Sequence, residues 1–188
     1  MVSRPIFAAV LVLFGAALYV TTQVTGTPHA PIIVVAGVVG VYMALNIGAN
    51  DVANNVGPAV GSGALTLIGA LAIAIVFETA GALIAGGDVV GTISKGIIST
   101  DMVSGAASFI RLMLASLIAA ALWINIATWI GAPVSTTHSI VGGVLGGGLA
   151  AAGMSSVNWP VMGKIAASWV ISPVMGAVIA ASFLAGIK

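Results

Sequence analysis

Polar residues that could carry chemistry are concentrated in two short stretches of an otherwise apolar chain. The first stretch, Gly48–Gly63, contains Asn50, Asp51 and Asn54 among four glycines, a serine and a proline. An unpaired polar group in hydrocarbon is expensive, so the stretch either lies outside the bilayer or lines a polar cavity inside it. Its carboxylate and amide oxygens are hard ligands, which suit Na⁺ or H⁺ rather than thiophilic metals.

The second stretch, Gly131–Gly142, has the residue types of an anion site. After Pro133 it carries four hydroxyl side chains and one imidazole: Ser135, Thr136, Thr137, Ser139 and His138. An apolar, glycine-rich segment follows, Gly142–Ala152, so we predict a helix that begins in this stretch with a Ser or Thr cap. The free N–H groups and the positive dipole end of such a helix favour a bound anion.

Two further charged residues lie within predicted membrane segments. In the segment Leu65–Ala85, Glu78 shares one helix face with small residues at positions 66, 70, 74, 81 and 85. Small residues let helices approach closely, so we predict that Glu78 faces protein or a cavity, with either a functional role or a structural hydrogen bond. In the segment Met102–Ile130, Arg111 either extends to the lipid headgroups or faces a cavity that admits anions.

The composition excludes a soluble protein. Hydrophobic residues make up 60% of the chain, charged residues 5%, and the mean hydropathy is +1.24, whereas soluble domains carry about 25% charged residues. We predict an all-α polytopic membrane protein with the lipid bilayer as its solvent, about five membrane helices, and broken or re-entrant helical segments. The helices are predicted at Ile6–Val24, Pro31–Ile47, Leu65–Ala85, Met102–Ile130 and Val161–Gly186.

The connections between these helices are predicted from their turn residues and charges. Gly86–Asp101 holds Asp88 and Lys95 and is interpreted as an interfacial connection with solvated charges, while His29 is placed in an exposed loop. Pro173 predicts a kink in the last helix. The absence of cysteine excludes disulfides and thiolate chemistry, and the net charge of +1 argues against a nucleic-acid partner.

Three classes of function compete at this point. Transport of a small oxyanion needs anion donors, a coupling-cation site and a discontinuous helix, and the two polar stretches offer these features. Intramembrane proteolysis would need two paired acids, or a nucleophile and a base; Asp51 with Glu78, or Ser135 with His138 on one helical turn, fit those needs poorly. We therefore predict that the protein is not an enzyme. The third class is a non-transporting membrane fragment or scaffold half.

Four motifs resemble those of the inorganic phosphate transporter (Pit) family, in the family's order: Gly48–Pro58, Phe77–Gly81, Ser94–Ile98 and Pro133–Gly142. The resemblance implies a symporter of inorganic phosphate with Na⁺ or H⁺, multi-pass in the cell membrane and, in a bacterium, in the inner membrane. It further implies phosphate contacts by Asn50, Ser135, Thr136 and Thr137, and cation contacts by Asp51, Asn54 and Glu78. His138 and Arg111 are predicted to belong to the surrounding network.

The chain departs from the family in one respect. Family members carry two inverted repeats, each with an Asn-Asp and a Ser/Thr-rich motif, whereas this chain shows each motif once. Residues 1–188 are therefore interpreted as a single transmembrane domain, the N-terminal repeat. The second repeat is expected in the same longer chain, in a separately encoded half, or in a second copy of this chain, and we favour the first.

Overall fold

The protein is an all-α, multi-pass membrane protein, as predicted. The computed structural model describes residues 30–187 together with Gly15, Tyr19 and Gln23, so most of the predicted helix Ile6–Val24, and His29, lie outside the described residues. Four helical stretches are long and apolar enough to cross a membrane: Pro31–Gly61, Leu67–Gly96, Ala106–Trp129 and Trp159–Ile187.

Residues 30–187 contain six α-helices and four short helical turns, joined by short non-helical segments. The α-helices are α1 (Ala30–Ile47), α2 (Ala53–Gly61), α3 (Leu67–Gly91), α4 (Ala106–Trp129), α5 (Thr136–Ala152) and α6 (Trp159–Ile187). The first π turn, Gly48–Val52, joins α1 to α2, and the second π turn, Thr92–Gly96, extends α3. Short 3₁₀ turns, Thr100–Met102 and Met154–Ser156, precede α4 and α6.

The first polar stretch does not break its helix. Ile47 and Ala53, which flank the first π turn, both keep right-handed helical dihedrals, so α1 and α2 form one continuous rod. The helix need not unwind because Asn50 finds hydrogen-bond partners on a neighbouring helix and loop. The predicted discontinuity is instead one wide turn, a feature that is frequent at functional sites.

The predicted connection Gly86–Asp101 is wrong as far as Gly96, so both Asp88 and Lys95 lie in helical turns. The helix that was predicted to end at Ala85 continues to Gly91 and, through the second π turn, to Gly96. Two adjacent glycines and one aspartate do not end the helix, because glycine costs only about 1 kcal/mol per residue in a helix relative to alanine, and aspartate costs less. Asp88 is therefore a helical residue, eight positions before the end of this helix, and not part of an interfacial loop.

The helices α1, α4 and α5 form the packed centre. Asn46 meets Asn125 and Asn50 meets Thr128, so α1 and α4 run in the same direction. The opposite direction of α5 brings its glycines against α4: a Cβ added at Gly143 would lie 2.6 Å from the Ser116 carbonyl oxygen. Such close backbone approach is typical of membrane helix pairs with small residues at the contact.

The turn between α4 and α5 lies at the level of the first π turn. Asn50 contacts the turn, whereas α2 continues for 9 residues beyond the π turn, a further rise of about 14 Å. With 17 residues, α5 spans about 26 Å, less than a hydrocarbon core of about 30 Å. Of the two helices joined by this turn, α4 is long enough to cross a membrane and α5 is shorter than the core, so the predicted re-entrant segment stays a prediction.

The opposite end of the bundle is closed by two connecting segments that pair with each other. Ser99 N–H donates to the Ser156 carbonyl at 2.8 Å, and Asn158 N–H donates to the Ile97 carbonyl at 2.9 Å. Ile97, Ile98 and Ser156 are completely or almost completely buried there. This pairing fixes the end of α3 to the start of α6. Beyond it α6 has no buried residue, although it stays helical through Pro173.

Candidate functional site

Asn50 connects the first π turn to the end of α4 and the turn that follows. Its Nδ2 donates to Thr128 Oγ1 and to the Ala132 carbonyl, both at 3.1 Å, and its Oδ1 accepts from the Val134 N–H at 3.2 Å. Asn54 Nδ2 also donates to Asn50 Oδ1, at 3.3 Å. The side chain is 6% exposed. Every polar atom of Asn50 is thus already used inside the protein.

A second amide pair lies one helical turn before Asn50. Asn46 is buried; its Nδ2 donates to the Tyr42 carbonyl at 2.8 Å, and its Oδ1 accepts from Asn125 Nδ2 at 2.9 Å. Asn46, Asn125 and Thr128 were not predicted from the sequence. A signal was present, because Asn46 precedes Asn50 by four residues and so shares its helix face.

The two polar stretches meet at Asp51. Thr136 Oγ1 donates to Asp51 Oδ2 at 3.2 Å, across 85 positions of sequence. Asp51 is half-buried and Thr136 is 7% exposed. The Asp51 carboxylate, in the π turn, therefore lies against the first residue of α5. Its neighbour in the chain, Asn50, makes the hydrogen bonds to α4 and the following turn.

The helix α5 begins with a serine cap, as the sequence predicts. Ser135 caps the helix, since its Oγ accepts from the His138 N–H at 3.2 Å. The N–H groups of Thr136 and Thr137 have no acceptor within residues 30–187. The exposed Ser135 and Thr137 hydroxyls flank these N–H groups. Free donors at a helix N-terminus are the chemistry that binds oxyanions.

His138 packs against α6. Its ring lies on Trp169, with centroids 4.0 Å apart and an angle of 35° between the planes. Trp169 was not anticipated from the sequence, and no periodicity or motif distinguishes it from the other tryptophans. The contact gives His138 a packing role, and its place in the network around the site stays a prediction.

The predicted cation residues face different cavities. Asn54 lines a cavity of about 310 Å³ together with Asn50 and Thr128. Glu78 is exposed and lines a separate groove of about 450 Å³, opposite Gly48 and Val52 of the π-turn region. Glu78 forms no hydrogen bond to Asp51 or Asn54, so its predicted role beside a cation stays a prediction.

Arg111 is remote from this centre. It is exposed in the first third of α4, 17 positions before Thr128, which corresponds to about 25 Å along the helix. Arg111 therefore lies away from the polar network to which it was predicted to belong.

Comparison with known proteins gives one consistent result. The phosphate transporter family matches residues 47–188. A Helicobacter pylori protein named as a phosphate permease is 56% identical over 180 residues, which are 96% of this chain and 34% of that protein. The chloroplastic inorganic phosphate transporter 2-1 of Arabidopsis thaliana is 49% identical over 146 residues, 77% of this chain and 24% of that protein.

One solved structure has the same fold. It is described as the sodium-dependent phosphate transporter, with a TM-score of 0.74, 48% sequence identity, and coverage of 79% of this chain and 37% of that chain. The present chain spans about a third of the length of the Helicobacter pylori protein and of the solved transporter. The two polar stretches, their meeting at Asp51 and these similarities lead to one conclusion: the chain belongs to the phosphate transporter family.

Proposed function

We propose that the protein moves inorganic phosphate across the cell membrane by symport with a cation, as one half of a two-repeat transporter rather than as an enzyme. The observation that carries the proposal is the Thr136–Asp51 hydrogen bond at the N-terminus of α5. It places a carboxylate, which attracts cations, beside free N–H groups and hydroxyls, which attract oxyanions. Family membership and the names of the relatives support phosphate as the substrate.

The same contact provides a physical reason for coupling. A bare carboxylate beside a phosphate site repels the anion, and it also occupies the Thr136 hydroxyl as an acceptor. A cation on Asp51 neutralises that charge and competes for its lone pairs, so that Thr136 becomes available to phosphate. Each ligand then binds better when the other is present, which is the free-energy coupling that symport requires.

We propose Na⁺ as the coupling cation. The solved structure with the same fold is described as sodium-dependent, and the oxygen ligands of Asp51 suit a hard cation. In this proposal Asp51 is the central cation ligand, and Asn54 and Glu78 approach the π turn from its two sides. Ser135 and Thr137 contact phosphate, whereas Asn50 holds the π turn in place, because its own polar atoms are used within the protein.

We propose that a second repeat covers the helices that lie apart from the packed centre. No residue of α6 and only Ala70 of α3 is buried. Exposed apolar helix faces are compatible with lipid, but a carboxylate such as Glu78 on such a face is expensive in lipid and needs protein or water beside it. A matching half that approaches α3 would supply that environment.

The test is uptake of labelled phosphate by proteoliposomes that contain the full-length protein, driven by an inward Na⁺ gradient. Asp51→Asn keeps the size of the side chain and removes its charge, so we expect Na⁺-driven accumulation to disappear while membrane insertion is unchanged. Asp101→Asn, which changes an exposed acid on a 3₁₀ turn away from this site, is the matched control. Normal Na⁺-driven uptake by Asp51→Asn would contradict the assignment, and absence of phosphate uptake by the unchanged protein would favour a non-transporting scaffold.

A further inference from the structure

Two hydrogen bonds attach α1 and the first π turn to α4. Asn46, two residues before the turn, accepts at Oδ1 from Asn125 Nδ2 at 2.9 Å. Asn50, inside the turn, donates from Nδ2 to Thr128 Oγ1 at 3.1 Å. Both asparagines of this rod are buried, at 5% and 6% exposure. The π turn is therefore held to one neighbouring helix at two points.

The two attachment points are spaced differently on the two helices. Asn46 and Asn50 are four residues apart, whereas their partners on α4, which runs in the same direction, are only three residues apart. The rod thus has one residue more than α4 between the two bonds. A π turn closes i→i+5 bonds in place of i→i+4 bonds, so it takes up one extra residue within a helix. This turn is what allows both bonds to form together.

The apolar contacts at the same level fix the rotation of α1 poorly. Met43 packs against Ala120, Ala121 and Ile124. Methionine is unbranched and adapts to many neighbours, and the two alanines offer little relief for it to lock into. An amide pair between helices adds little stability, but it requires one alignment of the two helices, as a single buried asparagine does in a coiled coil. Rotation at this level therefore depends on the Asn46–Asn125 bond.

This rotation reaches the candidate site through Asp51. Asp51 follows Asn46 by five residues within the same rod, and its Oδ2 accepts from Thr136 Oγ1 at 3.2 Å. If the π turn relaxed to regular α-helix, the part of the rod after it would rotate against the part before it by about 100°, the angle of one residue. Asp51 would then point away from Thr136.

We propose that Asn125 is a positioning residue: through its bond to Asn46 it keeps the first π turn in its wide form and so holds the Asp51 carboxylate against Thr136. Within residues 30–187, the Asn125 side chain bonds only to Asn46 and to none of the residues assigned to phosphate or the cation. The effect on transport rests on the proposed function, whereas the effect on geometry does not.

The geometric test is disulfide crosslinking of Asp51→Cys to Thr136→Cys in the full-length protein. Residues 1–188 contain no cysteine, and any cysteine elsewhere in the protein is replaced by serine. Asn125 is exposed, so Asn125→Leu removes the donor without crowding the interior. It is expected to slow copper-phenanthroline oxidation of the cysteine pair by about three- to twentyfold, the range that corresponds to loss of one interhelical hydrogen bond. Asn125→Gln keeps the amide and is expected to restore most of the rate.

A second cysteine pair is the matched control. Ile98 and Val157 lie opposite each other in the antiparallel pairing at the other end of the bundle, and opposite residues of this kind are close enough for a disulfide. Ile98→Cys with Val157→Cys is expected to crosslink at the same rate with and without Asn125→Leu. An unchanged rate at positions 51 and 136 overturns the proposal, and so does an equal fall at both pairs, which a general loss of structure would produce.

The functional test uses Asn125→Leu with Asp51 and Thr136 intact. We expect the Na⁺ concentration for half-maximal phosphate uptake to rise, because Asp51 is the proposed cation ligand, whereas a loss of folded protein would lower only the maximal rate. An unmoved Na⁺ half-saturation in a variant that still transports overturns the proposal. Absence of uptake by the unchanged protein contradicts the proposed function instead, and the crosslinking rates then decide by themselves whether Asn125 positions Asp51.

Discussion

Replacement of Asn50 by alanine tests whether this residue holds the site together or belongs to the transported ligands. The Asn50 side chain forms three hydrogen bonds to the end of α4 and the following turn, with Thr128 Oγ1, the Ala132 carbonyl and the Val134 N–H. Asn50→Ala removes all three. Thr128 keeps its bond to the Ile124 carbonyl, but the two backbone groups of the turn lose a protein partner.

The expected cost follows from these three contacts. Hydrogen bonds between helices in membrane proteins are worth about 0.6 kcal/mol each on average, with a maximum of about 1.7. Three average bonds give a destabilisation of about 2 kcal/mol. Water in the adjoining cavity, which Asn50 and Ala132 both line, replaces part of the lost bonding and argues against the maximum value. Asn54→Ala removes a single bond of 3.3 Å from an exposed side chain, so its cost is expected to stay below about 0.5 kcal/mol.

The measurement is equilibrium unfolding of the purified protein in mixed micelles with increasing denaturing detergent, followed by tryptophan fluorescence. Asn50→Ala and Asn54→Ala form the matched pair, because both truncate an asparagine of the same helix face. Equal unfolding free energies for the two variants would refute the interpretation of Asn50 as the residue that fixes the π turn. If Asn50→Ala is as stable as the unchanged protein but no longer binds phosphate, Asn50 is a phosphate contact and not a structural residue.

Two further predictions concern α5. Gly143→Ala places a methyl group 2.6 Å from the Ser116 carbonyl oxygen, so we expect a loss of about 1–3 kcal/mol of stability in the same unfolding assay. Gly142→Ala is the control, because nothing lies within 4 Å of the added group, and it is expected to be neutral or slightly stabilising. Equal effects of the two substitutions would contradict the close approach of α4 and α5. Ser135→Ala removes both the helix cap and an anion donor, whereas Ser135→Gly removes the donor but retains most of the capping preference, at a cost of only a few tenths of a kcal/mol. We expect both variants to raise the phosphate concentration for half-maximal uptake, and only Ser135→Ala to lower stability by about 1 kcal/mol. An unchanged half-saturation concentration in both variants would show that Ser135 acts only as a helix cap.

The membrane class, most helix positions and the Ser135 cap were predictable from the sequence because each depends on local physical chemistry. Apolar length fixes the candidate spans, and a hydroxyl before an apolar segment predicts a cap. The end of α3 was not predictable in this way. Paired glycines before Asp88 resemble a helix stop, yet the segment stays helical where the end of α3 is fixed by the pairing of residues 97–99 with 156–158.

The site was predictable in its parts and not in its connections. The motifs identified Asp51 and the residues of the α5 N-terminus, but the bond from Thr136 to Asp51 crosses 85 positions of sequence. Asn125 and Thr128 were missed because the sequence does not show which face of α4 packs against another helix. One amide and one hydroxyl in an apolar helix can also form local hydrogen bonds with their own backbone. Asn46 is the exception, since its spacing from Asn50 and Asn54 already indicated a polar helix face.

The first turn of α5 is the element that links the cation to phosphate in the proposed mechanism. Thr136 donates a hydrogen bond to Asp51, and the N–H groups of Thr136 and Thr137 have no acceptor within residues 30–187. A cation at Asp51 would offset the carboxylate charge beside these donors, so each ligand would favour binding of the other. We therefore expect the phosphate affinity of the unchanged protein to rise with Na⁺ concentration and that of Asp51→Asn to be independent of Na⁺, as measured by equilibrium binding of labelled phosphate. A phosphate affinity of Asp51→Asn that still rises with Na⁺ would contradict this mechanism.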